Sequence, residues 1–400
     1  MIRQPESLPG QKTKGYPLEL ILLNTYFRRR VMSGGEHKAF GAVITRLINK
    51  ENITREQAYQ AFITVLNNAT TELQQGAFLS ALTAKGETAE EVAGAWEAIY
   101  ELDTTKVNLD LAVADNSGTG MDTFKTFNIS TAASIIAAAG KVPMARHGAR
   151  AITSTCGTVD MAEALGVDVE CTADTVAQSI QSAGMGLFNG MSPHIHPNAL
   201  GRILSQIFFG STLNIAASLA NPALPAIGVR GVYAREMIMP VAEVMKEIGY
   251  HSAIILHGEV AGSGLGMDEA SVCGTTHCAR IHTDLDTGKR EISQFTINPA
   301  SLGLFARNSD DLKPEPELQK ETRRFAGLMA NGVNGVRKDT VILNTGLIFL
   351  AAGKADTLDQ GIQQAAVLLE SGKAFDTLEN WVSSQNTDPE KGLAKLHALV

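Results

Sequence analysis

The residue types best suited to chemistry fall between Gly118 and Thr131. A Gly118-Thr119-Gly120 turn leads through Met121 to an acid, Asp122, and the polar run Asn128-Ile129-Ser130-Thr131 follows. Glycines let a backbone approach an anion closely. Asn128, Ser130 and Thr131 stand directly before an Ala-rich apolar run, Ala132 to Gly140. A helix opening there would present free N–H groups and the positive end of its dipole. The pattern predicts a phosphate cradle at a helix N-terminus. An ordinary strand-to-helix turn with Asn128, Ser130 and Thr131 as N-cap residues is the plainer reading, and cap and ligand roles are compatible.

Other groups are more ambiguous. Asp268 and Glu269 are adjacent acids after a glycine-rich stretch, and could be the solvated start of a helix or a pair of metal ligands. His147 either closes a strand end or faces a ligand. His194 and His196, with Pro193 and Pro197, make a stiff turn or a contact surface. Cys273, His277 and Cys278 look like a metal motif but lack a fourth ligand at the usual spacing. Arg28–Arg30 reads as a solvated face.

The elements that would position these residues change character along the chain. From about His37 to Leu102 the pattern predicts four short amphipathic helices. Ala39, Ala42, Val43, Leu47 and Ile48 share one face, Thr54 opens a capping box, and Thr71 and Thr88 precede the later helices. After Asp103, short apolar runs alternate with helical patterns. Leu109–Ala114, Val142–Arg146, Ala226–Val229 and His251–Leu256 read as strands. Thr131–Ala139, Met161–Leu165, Met237–Ile248, Asp339–Ala351 and Thr357–Ser371 read as helices. The fold class is therefore α/β: a small all-helical N-terminal domain, then a large domain with a mostly parallel central sheet flanked by helices. Thr287–Asn298 alternates around a turn and predicts an antiparallel excursion. The expected boundaries are an extension over 1–36, a helical domain over 37–105 and an α/β domain over 106–400.

Length and composition set outer bounds. With 400 residues the chain can bury a large core. Its formal charge of −8 argues against general nucleic-acid binding. Four cysteines fit a reducing cytoplasm better than a disulfide framework. The N-terminus shows no signal-peptide pattern, and no long apolar run predicts a membrane span.

Taken in order, these motifs resemble the anthranilate phosphoribosyltransferase family, over roughly residues 37–383. The similarity runs through Gly76-Ala77-Phe78-Leu79 and Lys85-Gly86-Glu87-Thr88, then Gly118 to Thr131 and His147-Gly148. It continues through Glu163-Ala164-Leu165-Gly166, Asn214, Asn221-Pro222, His257-Gly258 and Asp268-Glu269 to Ala352-Gly353-Lys354-Ala355-Asp356. The resemblance implies a cytoplasmic, Mg²⁺-dependent homodimer that transfers phosphoribosyl from phosphoribosyl pyrophosphate to a small aromatic acceptor. It implies donor contacts at Gly118, Thr119, Gly120, Asp122, Asn128, Ser130, Thr131, Arg146 and Cys156. It implies metal contacts at Ser130, Asp268 and Glu269; oxygen ligands of this kind suit Mg²⁺, which keeps waters and bridges phosphates. Acceptor contacts would fall at His147, Ala149, His196, Arg202 and Gln206, and a helix near 205–217 would complete the helical domain.

Several positions depart from the family. Met121 replaces a glycine, Thr155 a lysine and Ala149 an asparagine that touches the acceptor. Arg146 replaces a lysine, which exchanges a point charge for a planar fork. The family's acceptor-binding arginine lies ten residues after the histidine, where this chain has Gln206; Arg202 is the nearest arginine. An anthranilate carboxylate left without a cation would lose roughly 1.5–3 kcal/mol. The stretch His257–Glu269 is longer than the family's and adds an acid, Glu259. A different acceptor is therefore expected beside anthranilate itself. A nucleoside phosphorylase-like enzyme and a non-enzymatic nucleic-acid-binding paralogue are the alternatives. The first lacks its Lys-His pair here, and the second would need a basic groove.

Overall fold

The computed structural model describes residues 32–150, 156–284, 287–304, 306–331 and 334–400. The Arg28–Arg30 cluster and the substituted position Thr155 lie outside the described residues.

Four helices open the described chain: α1 (Gly34–Ile48), α2 (Arg55–Leu66), α3 (Glu72–Lys85) and α4 (Ala89–Leu102). Each starts where a hydroxyl side chain accepts an amide of the first turn: Ser33, Thr54, Thr71 and Thr88. Ser33, Thr54 and Thr88 close capping boxes with Glu36, Gln57 and Glu91, so these starts follow from local chemistry alone.

Beyond them the chain runs β1 (Ala114–Gly118), α5 (Ile129–Ala139), β2 (Met144–Gly148), α6 (Thr158–Leu165), α7 (Ala173–Ala183) and β3 (Met185–Asn189). Then come α8 (Leu200–Ile207), α9 (Thr212–Leu219), β4 (Ile227–Gly231), α10 (Ile238–Ile248), β5 (Ser252–Val260) and β6 (Leu265–Met267). Strands β7 (Thr276–Thr283) and β8 (Arg290–Ile297) precede the closing helices α11 (Leu318–Asn331), α12 (Val336–Ala351), α13 (Leu358–Glu370), α14 (Lys373–Ser384) and α15 (Pro389–His397). The strands form one sheet in the order β3-β2-β1-β4-β5-β7-β8, with β6 hairpinned onto β5. Strands β1 to β5 pair in parallel, and β6, β7 and β8 are antiparallel additions. The expected antiparallel excursion is β8.

The strand order reverses at β1, which lies between β2 and β4. In open α/β sheets, ligands bind outside the carboxyl ends of strands at such a switch point. The loop after Gly118 leaves from that place.

Two corrections matter for the site. The strand expected over Leu109–Ala114 begins only at Ala114. Leu109, Leu111 and Val113 instead pack into a side cluster with Ala145, Val176 and Phe188. The strand itself, Ala-Asp-Asn-Ser-Gly, is polar yet buried over its first four residues, which no hydropathy pattern reveals. The single helix expected near 205–217 is two helices. Phe208 turns left-handed (φ 44°), and Ser211 opens α9 in a capping box with Asn214. Helices α8 and α9 share an apolar core with α1–α4, and that core continues into α10, β5 and β7. The opposite face of the sheet packs α5, α6 and α11–α15 in a second core around Trp381. No helix among the described residues is long and apolar enough to cross a membrane.

Candidate functional site

The loop after β1 and the segment after β6 run side by side. Gly118 and Gly231 are partners across the β1–β4 ladder. A Cβ at Gly118 would lie 2.1 Å from Asp268 Oδ2, and one at Gly231 would lie 1.5 Å from the Asp268 carbonyl oxygen. Only glycine at both strand ends lets Asp268 lie across them. The Gly120 amide donates to Asp268 Oδ2 (2.8 Å), and Thr126 Oγ1 donates to Glu269 Oε2 (3.1 Å). Thr119 Oγ1 accepts from the Tyr233 amide (3.1 Å). Gly120 and Met121 both have positive φ, 65° and 63°, a conformation glycine adopts freely and methionine does not.

Asp122, Asp268 and Glu269 each place a carboxylate oxygen within 4.8 Å of the other two, and all three are buried. No helix starts at Asp268-Glu269, so the solvated-helix alternative falls away. Burial, reinforced by Asp268, pushes the Asp122 carboxyl up to about 6, against the pull of Lys125 at 2.8 Å. Burial, then Asp268 and Asp122, raises Glu269 well above the usual carboxylate range. Crowded, desolvated carboxylates resist losing their protons together, and a divalent cation relieves that conflict. Their all-oxygen donor set fits Mg²⁺. Among the described residues no other group of three His, Cys, Asp or Glu side chains is gathered in this way. His277 is not part of a Cys/His cluster; its Nε2 lies 2.9 Å from Glu259.

Helix α5 points its N-terminus into the same region. Asn128 occupies the N-cap position without a side-chain cap bond, and the Ser130 hydroxyl makes no hydrogen bond among the described residues. Thr131 differs: its Oγ1 accepts from Arg146 Nη1 (2.6 Å), whose Nε donates to the Asn116 carbonyl (3.0 Å). Arg146 is thus held beneath the loop. Burial pulls its guanidinium down to about 10, while Asp115 and Glu269 hold it up. Cys156 packs on the sheet's second core, and burial, then Asp160 and Glu321, raises its thiol to about 12. It is a neutral group.

The acceptor candidates are scattered. His147 Nε2 lies 3.2 Å from His196 Nε2, His147 Nδ1 lies 3.3 Å from the Ser218 carbonyl, and His196 Nδ1 lies 2.6 Å from the Asp103 carbonyl. Both rings are buried, and they serve as a strut between β2 and the 192–198 turn. Burial drives His147 down to about 3 and lowers His196. Ala149 is exposed past the end of β2. Arg202 donates to Gln75 Oε1 (3.1 Å) and the Val65 carbonyl (2.8 Å), so its guanidinium is turned into the helical bundle. Gln206 is exposed one turn on, along a groove shared with Glu72 and Leu79.

Sequence reasoning missed the layer under the site. Asp115, on β1, is buried between Arg146 of β2 and Arg230 of β4. Burial raises its carboxyl while Arg230 and Arg146 lower it. Arg230 Nη1 donates to Ser117 Oγ (2.6 Å), and the Asn221 amide donates to the Ala145 carbonyl (2.7 Å). Strand alternation is the one signal that could have aligned these residues, and it is masked by their polarity.

Known proteins share this architecture. The model of the glycosyl transferase family a/b domain matches residues 110–375, and that of the family's helical bundle domain matches 42–102. Anthranilate phosphoribosyltransferase of Bacillus mycoides (strain KBAB4) is 32% identical over 351 residues, which span 87% of this chain and 98% of that protein. The chain belongs to the anthranilate phosphoribosyltransferase family. It is a glycosyltransferase of the pentosyltransferase class. The crystal structure of anthranilate phosphoribosyltransferase from Thermus thermophilus superposes with a TM-score of 0.75 at 28% identity, covering 86% of this chain and 99% of that one. The Saccharomyces cerevisiae enzyme, solved in complex with PRPP and Mg, superposes at 0.74 with 22% identity over 87% of this chain and 98% of that one, a likeness of fold.

Proposed function

We propose that the chain transfers phosphoribosyl from phosphoribosyl pyrophosphate to the nitrogen of an aromatic or heteroaromatic acceptor with altered contacts. The observation that carries this reading is the buried Asp122–Asp268–Glu269 cluster beside the uncapped N-terminus of α5. The pyrophosphate would lie over Gly118–Gly120 and the first amides of α5. There the Asn128 and Ser130 side chains are available to it, and the dipole favours negative charge. Arg146 adds positive potential from below through Thr131. Mg²⁺ held by Asp268 and Glu269, with Asp122 and Ser130 beside them, would neutralise charge on the departing pyrophosphate. In the transfer the anomeric C–O bond breaks, a C–N bond to the acceptor forms, and the amine gives up one proton. The protein's part is placement and electrostatics.

The acceptor side supports a different specificity from anthranilate. Ala149 offers no amide, Gln206 no cation, and the Arg202 guanidinium is engaged with Gln75 and Val65. The direct test is turnover of phosphoribosyl pyrophosphate with Mg²⁺ and a panel of aromatic amines and acids that includes anthranilate. Pyrophosphate release with a panel member other than anthranilate supports the reading. Release with none, or with anthranilate alone, removes the altered acceptor.

A further inference from the structure

The loop from Gly120 to Thr126 is tied to residues 266–269 at four points. Two ties end on carboxylates: Gly120 to Asp268 and Thr126 to Glu269. The other two points, Thr123 and Phe124, meet Gly266 through three hydrogen bonds. Its amide donates to Thr123 Oγ1 (2.9 Å), and its carbonyl accepts from the Phe124 amide (2.9 Å) and from Thr123 Oγ1 (3.3 Å). Gly266 lies on β6, the returning arm of the hairpin that lengthens the stretch His257–Glu269. It must be glycine, since a Cβ there would lie 2.3 Å from His257 Nε2. His257 is itself fixed through Nδ1 to the Val232 carbonyl (2.8 Å). The hairpin's far edge is anchored as well, with Glu259 2.9 Å from His277 and the Ala261 amide on the Cys273 carbonyl.

These ties are not equivalent. A cation held by Asp268 and Glu269 would compete for the carboxylates that accept from Gly120 and Thr126. The Gly266 clasp uses no carboxylate and survives that change. We propose that Thr123 is a positioning residue: through Gly266 it holds the donor loop in register with the acid pair while the carboxylates are occupied. The inference rests on the proposed donor site. It assigns to the longer hairpin the work of keeping two segments in place that are far apart in sequence but adjacent in space.

The test uses Thr123→Val, which keeps the branched shape without the hydroxyl, and Thr123→Ser, which keeps the hydroxyl. Thr123→Ala stands in if valine packs poorly. Removing the hydroxyl should raise the KM for phosphoribosyl pyrophosphate and the half-saturating Mg²⁺ by about three- to tenfold, the worth of one hydrogen bond. It should leave the KM for the acceptor unchanged, and serine should restore the wild-type values. Amide hydrogen exchange over Gly120–Phe124 in the substrate-free protein should quicken in the valine variant and return in the serine variant. Unchanged exchange in both hydroxyl-free variants overturns the clasp whatever the activity. A rise confined to the acceptor KM overturns the assignment to the donor loop. A wild-type chain that turns over no phosphoribosyl pyrophosphate overturns the donor reading instead, and exchange still decides the clasp.

Discussion

Met121 is the residue whose type and conformation disagree most. It adopts φ 63° in a loop where the family places glycine, and its side chain is 49% exposed. A left-handed non-glycine residue costs about 1–2 kcal/mol, and glycine's extra freedom in the unfolded chain offsets about half of that. Met121→Gly should therefore raise stability by about 0.5–1 kcal/mol in denaturant unfolding. The histidine strut gives a pH prediction. His147 is held far below its ordinary range, so between its unfolded value near 6.5 and about 3 the unfolded chain binds a proton that the folded chain refuses. Stability from this site is complete above about 6.5 and is lost as pH falls, at about 1.4 kcal/mol per pH unit. His147→Gln should flatten the acid side of a Tm-against-pH curve, and an unchanged slope would refute the assignment. Two neutral rings carry two ring protons for three contacts. One of the three is therefore left without a proton.

At the scale of elements, the start of α5 is held from behind. The Phe127 amide donates to the Leu312 carbonyl (2.9 Å), and the Arg337 guanidinium stacks 4.3 Å over the Phe127 ring. Arg337 also pairs with Glu321 (2.6 Å), both side chains being almost wholly buried. Breaking a buried pair strands a charge, which costs about 3–5 kcal/mol. Glu321→Ala should lose about that much in chemical denaturation, and a double variant with Arg337→Met should recover most of it. Helix α8 has a similar long-range start. Asp103, at the end of α4, accepts the amides of Asn198 (2.6 Å), Ala199 (2.9 Å) and Leu200 (2.7 Å). The capping box at Thr54 and the helix start after Thr88 are legible from sequence because each cap lies three residues from its partner; the box at Ser33 is the same local device. Asp103 and Arg337 are not legible, because Asp103 meets amides 95 to 97 residues on, Arg337 meets Glu321 16 residues back, and no local period encodes either.

At the scale of the molecule, the sheet separates two apolar cores, and the acidic cluster lies at the strand ends beyond the switch in strand order. The helical bundle exposes large apolar side chains, Leu73 at 87% and Phe208 at 89%. Exposed apolar side chains mark an interaction surface where they form one patch, and Phe208 adjoins the exposed Phe209 in sequence. Together with the family resemblance they lead us to expect a homodimer, which light scattering would show as twice the 42.5 kDa of the chain. A mass near that of one chain at micromolar concentration would count against it.

The sequence alone determined the parts whose physics is local. Glycines beside Asp122, hydroxyl residues before an apolar helix and adjacent acids at Asp268-Glu269 were readable because spacing along the chain is their geometry. So were most helix starts and the alternation of strands with helices. Tertiary structure alone decided that Asp122 joins Asp268 and Glu269, that Arg146 lies under the loop, that His147 and His196 brace one another, and that Arg202 turns into the bundle. It also decided that a strand of Asp, Asn and Ser is buried: Arg146 and Arg230 from neighbouring strands place positive charge beside Asp115 and donate hydrogen bonds to the Asn116 carbonyl and Ser117 Oγ. Burial, and the partner each polar group finds there, is a property of the packed whole, and no spacing along one chain records it.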